Sequence, residues 1–393
     1  MNIFDSFDIE KCCGCGACIN SCPAKALDYD TEKYGFIVPR INQDLCINCG
    51  KCIKVCPYNQ EENKKNNIQE SYAAVNKNQE IAVNSSSGGV FGAIASQVLN
   101  TGGVVYGCEL SKELKSQHCR IESPKELYRV MRSKYIQSFM GDNFLHVKND
   151  LKDGKTVLFS GTPCQIAGLR AFLGKTADLP NLYLVDIVCH GVPSQKLFDS
   201  YKEYIEQKRG KRIESYTFRY KNKYYNGMKW YSSYKLDNNK NYVYNWPEDS
   251  FSYYYMKAYT NRDSCYKCPF ASLARQSDIT LCDYWHWDEC NLSFKKGSSV
   301  SAVIVHSEKG KRLLDETRKE LEVQETPIES IIKYNGCISH PVGKPQEREE
   351  ILNRWITEGY ESIDRNFITR NKWNIIKYCI LRHIPDFILN LRK

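Results

Sequence analysis

Eight cysteines stand in two copies of one short pattern. The first is Cys12-x₂-Cys15-x₂-Cys18-x₃-Cys22-Pro23, and the second is Cys46-x₂-Cys49-x₂-Cys52-x₃-Cys56-Pro57. A two-residue loop lets three thiolates converge on three corners of an iron–sulfur cubane, and the turn that follows carries the fourth cysteine across to a neighbouring one. The spacing therefore assigns Cys12, Cys15, Cys18 and Cys56 to one [4Fe–4S] cluster, and Cys46, Cys49, Cys52 and Cys22 to a second. Zinc also binds C-x₂-C pairs, but two full copies, each closed by proline, favour iron.

A later pair, Cys265-x₂-Cys268-Pro269, supplies half of a tetrahedral or cubane site. The other half has to come from elsewhere. Cys164 and Cys189 are the first candidates, with Cys282 and Cys290 in reserve. A lone cysteine in apolar surroundings is usually inert core. These two, however, each follow an apolar run that reads as a strand, and functional groups of open α/β sheets collect beyond the strands' carboxyl ends. The stretch Asn84 to Gly89, rich in serine and glycine, opens an apolar helix. Unpaired amides and the helix dipole suit an anion there, although serine is also an ordinary N-cap. From about Ser215 to Tyr259 the chain is crowded with Tyr and Trp. Cross-strand aromatic pairing explains this simply; a platform that stacks a flat ligand is the sharper reading. His190 is a candidate proton shuttle, or a loop residue that only orders its neighbours.

The elements that must position these residues follow from hydrophobic pattern. Residues 26–41 read as a hairpin turning at Glu32 to Gly35, where a ferredoxin places the strands over its clusters. Asn59 to Glu70 is polar and reads as a linker. Tyr72 to Val75 and Val104 to Gly107 read as strands around the helix containing Ile94, Val98 and Leu99. Lys155 to Ser160, a helix from Ile166 to Leu173, and Leu182 to Val188 read as a parallel strand–helix–strand unit. Lys309 to Leu321 and Glu347 to Glu358 read as helices, and the tail from Arg370 is basic and amphipathic. Such a tail can lie on a membrane; packing back on its own domain is preferred.

The 393 residues suffice for two or three domains with real cores. Nineteen cysteines, a start without an export signal and no apolar run long enough to span a bilayer point to a reducing cytoplasm. Oxygen-sensitive clusters suggest an anaerobe. The formal charge of +9 counts cysteines as neutral thiols. Three four-thiolate cubanes, at about −2 each, would leave about +3. No nucleic-acid module accompanies the lysines, so an acidic electron-transfer partner is the better use for the excess.

Taken in order, several segments resemble one family: Ser87-Gly88-Gly89-Val90, Ser133-Lys134-Tyr135, Gly161-Thr162-Pro163-Cys164-Gln165, Val188-Cys189-His190-Gly191, Phe218-Arg219-Tyr220-Lys221, Cys265-x₂-Cys268, and Ser277-Asp278-Ile279-Thr280 leading to Asp283-x-Trp285. The chain resembles the β subunit of coenzyme F420 hydrogenase/dehydrogenase over roughly residues 72–305, preceded by a bacterial-type two-cluster ferredoxin domain. The resemblance implies an α+β or α/β fold with a ferredoxin domain at 1–62, a flavin-binding part at 63–150, a part bearing a third cluster and the substrate side at 151–335, and a helical tail at 336–393. It implies a third [4Fe–4S] cluster on Cys164, Cys189, Cys265 and Cys268. It also implies FAD held by Ser86, Ser87, Gly88, Gly89, Lys134, Tyr135, Gly161 and Thr162, with Lys134, His190 and Arg219 serving the reaction. Cys282 and His286 stand where relatives commonly have glycine.

The expected activity is that of an oxidoreductase exchanging electrons between the clusters, FAD and a two-electron organic substrate, F420 or another small molecule. A flavin is suited to join one-electron carriers to two-electron chemistry. The expected partner is a redox protein such as reduced ferredoxin. The rivals are a non-catalytic electron-transfer subunit of a larger hydrogenase or dehydrogenase complex, and a structural or sensory cluster protein.

Overall fold

A computed structural model describes residues 8–59, 66–221 and 230–382. Strands β1 (Leu27–Thr31) and β2 (Ile37–Ile41) pair antiparallel, Leu27 opposite Ile41. The Glu32 carboxylate closes their turn by accepting from the Tyr34 and Phe36 amides at 2.9 and 3.0 Å. Gly35 takes φ +81° in that turn, where a Cβ would strike Lys196 of the following domain.

The main body is an eight-stranded mixed sheet. It uses β3 (Glu70–Asn76), β4 (Val104–Leu110), β5 (Ser116–Ile121), β6 (Val157–Gly161) and β7 (Leu182–Ile187). Three more strands, β8 (Ile213–Thr217), β9 (Tyr231–Leu236) and β10 (Asn241–Asn245), form a separate antiparallel sheet in the aromatic region. Finally β11 (Ile279–Asp283), β12 (Ser301–Val305) and β13 (Leu321–Glu325) complete the large sheet, whose order is β13-β3-β12-β11-β7-β6-β4-β5. Its centre, β4-β6-β7-β11, is parallel, and both flanks are antiparallel. Buried on both faces, the central strands read as continuous apolar runs, and Val157, Leu158, Phe159, Leu184 and Val185 are fully buried.

This topology sets the carboxyl ends of β6, β7 and β11 side by side. Cys164 follows β6, Cys189 follows β7, and Asp283 closes β11. The helix after β6 begins at Pro163, not at Ile166, so Cys164 lies in its first turn instead of in a loop. Proline is pre-set for that first position, and Thr162 with Gln165 completes a capping box. Of the polar linker, residues 60–65 lie outside the described residues. Asn66 exchanges two main-chain hydrogen bonds with Arg275, at 2.6 and 3.1 Å, so the connection is tied down by that point.

Helix Tyr360–Arg382 buries Tyr360, Ile363 and Phe367 in the aromatic core beside Tyr201, Tyr254 and Trp355. Beyond that Trp373 is 81% exposed. Residues 383–393 of the tail lie outside the described residues. No described helix is long and apolar enough to cross a membrane.

Candidate functional site

The two cysteine runs line two cavities. One is bounded by Cys12, Cys15, Cys18 and Cys56, with Cys13, Ile37, Pro57 and Tyr58 around them. The other is bounded by Cys22, Cys46, Cys49 and Cys52. The fourth cysteine of each run thus faces the other run's cavity. Gly16 and Gly50, with φ +79° and +71°, start the short helices that deliver Cys18 and Cys52. The two cavities differ in surroundings. Cys15 and Cys56 are buried, whereas Cys49 is exposed between Leu45 (51% exposed) and Ile47 (66%). Lys25 and Lys51 are also exposed near this second cavity.

The first cavity is covered by the main domain. Cys15 packs against Gly168 of the helix after β6 so closely that a Cβ there would lie 2.8 Å from Sγ. The Arg262 guanidinium, buried, donates to the Cys12 and Ile37 carbonyls at 2.5 and 2.6 Å. The Ile37 amide donates to the Gln137 side-chain oxygen at 2.8 Å, and Tyr29 Oη donates to the Gly141 carbonyl at 2.8 Å.

Beneath this seam the structure brings Cys164, Cys189, Cys265 and Cys268 together. Every pair of these sulfurs is close enough for the thiolates to repel each other. Burial, then mutual charge, pushes the Cys265 thiol up to about 12 and Cys268 up to about 11; Cys189 is raised well above the usual range for the same reasons. Cys164 is raised most by its interaction with Cys13, then by burial. Four buried thiols that resist ionisation together persist as thiolates only with cations among them, and that donor set fits an iron–sulfur cubane. Cys282, held in reserve on sequence grounds, is buried and pushed up first by burial and then by Asp283; Cys290 lies near Tyr284, with 3.6 Å between the hydroxyl and Sγ. Neither is among the groups acting on the four sulfurs.

Beside them lies an aromatic and basic cluster. Tyr135 stacks on Trp230 (4.6 Å between centroids) and on Tyr255 (4.7 Å). Tyr255 in turn feels the charges of Cys189 and Cys265 and meets His190 edge-on at 5.6 Å. Arg219, 1% exposed, lies over Trp230 at 4.6 Å and over Trp285 at 5.6 Å. It donates to the Ser86 carbonyl at 3.0 Å and to Asp283 at 3.1 Å. Lys221 donates to the Ser87 carbonyl at 2.6 Å, and burial, then Arg219, draws its ammonium down to about 7. Burial also lowers the His190 imidazole, whose Nδ1 has no hydrogen-bond partner among the described residues.

The residues expected at a flavin divide. Ser86 and Ser87 offer carbonyls to Arg219 and Lys221, and the Ser86 hydroxyl accepts from the Ser133 amide at 2.7 Å. The Gly88 amide is already taken by the Ser301 hydroxyl at 2.9 Å, so the anion cradle lacks it. Gly88 and Gly89 serve close packing: a Cβ on Gly88 would meet the Ala74 carbonyl at 2.3 Å. The Thr162 amide donates to Gln165 at 2.9 Å, and Gly161 lies against that same side chain. Lys134 donates to the Arg129, Met131 and Arg132 carbonyls at 3.0, 2.6 and 3.2 Å, a structural set of partners, with burial drawing it to about 8. Tyr135, next in sequence, reaches the aromatic stack instead.

Sequence reasoning missed Cys13, Tyr58, Lys221, Tyr255 and Arg262. Lys221 carried a signal, since residues two apart in extended chain share a face and Arg219 was already singled out.

Residues 154–331 match the family model for the C-terminal region of the beta subunit of coenzyme F420 hydrogenase/dehydrogenase. Residues 11–60 and 38–84 match two models of the 4Fe-4S dicluster domain. The chain is also similar to a chain of the F420-reducing [NiFe] hydrogenase complex from Methanosarcina barkeri, with 14% identity and a TM-score of 0.46, over 77% of this chain and 92% of that one. No curated protein matches.

Proposed function

Since the chain belongs over residues 154–331 to the coenzyme F420 hydrogenase/dehydrogenase beta-subunit family, and carries a 4Fe-4S dicluster region ahead of it, we propose that it is a cytoplasmic iron–sulfur flavoprotein oxidoreductase with three [4Fe–4S] clusters and FAD. When bound, the clusters supply one-electron steps, and the flavin joins them to a two-electron reaction on a small organic molecule. The observation that carries the reading is the meeting of Cys164, Cys189, Cys265 and Cys268 beneath the covered first cavity, with the Tyr135–Trp230–Tyr255 stack alongside.

The chain's own residues then have distinct tasks. Cys46, Cys49, Cys52 and Cys22 hold the exposed redox site, where a one-electron partner protein can approach. Cys12, Cys15, Cys18 and Cys56 hold the covered one. Arg219 and Lys221, buried beside Trp230, put positive charge where a reduced flavin or an anionic substrate would gain from it. Tyr135, Trp230 and Trp285 give that place flat walls and exclude water. His190, with Nδ1 unbonded, is the side chain placed to hold or move a proton. Ser86 and Ser87 orient the two cations through their carbonyls.

Anaerobically purified protein is expected to show a flavin spectrum and about twelve irons per chain. About eight irons and no flavin would reject the proposal. Bleaching of the bound flavin by one candidate substrate, or its recolouring, identifies the substrate; F420 is the first to try.

A further inference from the structure

We infer that Cys13, which ligates no iron in the scheme above, holds its thiol between two cluster sites and sets their relative redox potential by donating its hydrogen to a ligand sulfur. The inference rests on the three-cluster reading. Cys13 is adjacent in sequence to the ligand Cys12 and lines the first cavity with Cys12, Cys15, Cys18 and Cys56. Its side chain also interacts with Cys15 on one side and with Cys164 on the other. Cys15 belongs to the covered ferredoxin site, and Cys164 to the third site. No other side chain among the described residues interacts with a sulfur of each in this way.

The backbone fixes Cys13 from the main-domain side. Its carbonyl accepts from Gln137 Nε2 at 3.5 Å, and the carbonyl before it accepts from Arg262 at 2.5 Å. Gly14 then turns with φ +68° in a space where a Cβ would meet Gln137 Nε2 at 2.4 Å, the Ile37 carbonyl at 2.6 Å and Arg262 at 2.9 Å. Tyr58 closes the surroundings. It feels the charges of Cys13, Cys164, Cys265 and Cys268, and its ring meets Phe270 edge-on at 5.2 Å.

The chemistry follows from which sulfur keeps a proton. A cysteine that ligates a cluster does so as thiolate. With Cys15 and Cys164 both committed to iron, Cys13 alone of the three retains S–H, a weak donor but one facing two acceptors. Hydrogen bonds to cluster sulfurs are among the levers that set cluster potential. A donor stabilises the more negative, reduced state and so raises the potential of the cluster it serves.

The test uses the intact chain, loaded anaerobically, with Cys13→Ala, Cys13→Val and Cys13→Ser. Valine keeps the volume without a donor, and serine keeps a donor. Iron content is measured first, and wild type with about eight irons sinks the three-cluster reading before Cys13 is in question. EPR-monitored redox titration then gives each cluster's potential. The expected result is full iron content in Cys13→Ala or Cys13→Val, with the potential of the first-cavity or third-site cluster lowered by about 59 mV, a tenfold change in the one-electron equilibrium. The second-cavity cluster stays put, and Cys13→Ser recovers at least part of the shift. Unchanged potentials with full iron would overturn the inference. So would loss of about four irons from all three variants, which would make Cys13 a ligand.

Discussion

Arg262→Ala is the sharpest perturbation of the seam between the two cysteine-rich regions. The guanidinium makes two short hydrogen bonds to main-chain carbonyls of the N-terminal region, at 2.5 Å to Cys12 and 2.6 Å to Ile37. Its own amide is fixed by the Val192 carbonyl at 3.1 Å, and Cys265 lies three residues on. A hydrogen bond to a charged group contributes about 1.5–3 kcal/mol, so the pair holds the docked arrangement by about 3–6 kcal/mol. Water regains the two carbonyls when the seam opens, which argues for the lower end. About 3 kcal/mol still raises the open population by about a hundredfold, at 1.4 kcal/mol per factor of ten. Native-state hydrogen exchange measures this directly. The reporters are the Ile37 amide, which donates to Gln137, and the Gln137 amide, which donates to the Pro193 carbonyl at 2.8 Å. Their exchange is expected to quicken by about a hundredfold in Arg262→Ala, while amides of β6 and β7 keep their protection. Arg262→Lys, able to offer one donor but not the fork, falls between. Exchange at both reporters within about threefold of wild type, in a folded variant, would refute the role given to this side chain.

Cys189→Ser is expected to remove about four of about twelve irons and leave the two ferredoxin clusters; unchanged iron content would place the third site elsewhere. Lys221→Met tests the buried cation. Its ammonium falls from 10.5 to about 7 in the folded chain, so between those values the unfolded chain binds the extra proton and stability rises with pH. Wild type should therefore gain on Lys221→Met in urea midpoint from about pH 7 to about pH 10, and parallel profiles would contradict the assignment. Charge reversal at Lys25 and Lys51, both exposed near the second cavity, is expected to slow reduction by an acidic one-electron carrier by about tenfold at low salt and to flatten the salt dependence. Equal rates and slopes would move the entry point off this face.

How much was legible in the sequence depended on the range of the interaction. The ligands of the two ferredoxin sites are set by loop lengths of two and three residues, so spacing alone identifies them. The meeting of Cys164 and Cys189 with a pair some eighty residues later was legible because apolar runs mark β6 and β7 as neighbouring parallel strands. Where a side chain's partners come from another element, the pattern failed. Lys134 stands in a recognisable motif, yet its ammonium is spent on three carbonyls of the preceding turn. The Ser/Gly turn looked like an open anion cradle, but β12 supplies Ser301 to the Gly88 amide. Arg262 and Tyr58 act only across the seam, which no local pattern encodes. The aromatic stretch served both readings: Tyr234 stacks on Tyr242 and Tyr244 across β9 and β10, while Trp230 joins the stack near the cysteines.

The seam also bears on what residues 1–62 are. A ferredoxin that diffuses between partners needs a closed apolar core of its own, and here Cys15, Ala17 and Val55 share one core with Phe144, Val157, Ile166 and Leu184 of the main domain. Cutting the chain near residue 62 would uncover that face on both pieces, and contiguous apolar surface of this kind drives association. The boundary marks a change of chemistry more than a change of core. Gly168 makes the same point atom by atom. Any side chain there would push on Cys15, so glycine at that helix position buys the close approach of one cluster ligand to the helix that bears Cys164. A rigid approach of this kind suits electron exchange within one molecule, where the distance between centres has to be held and not found by diffusion. By the same reasoning the exposed second cavity, with Cys49 between Leu45 and Ile47, is the end of the wire left open to a second protein.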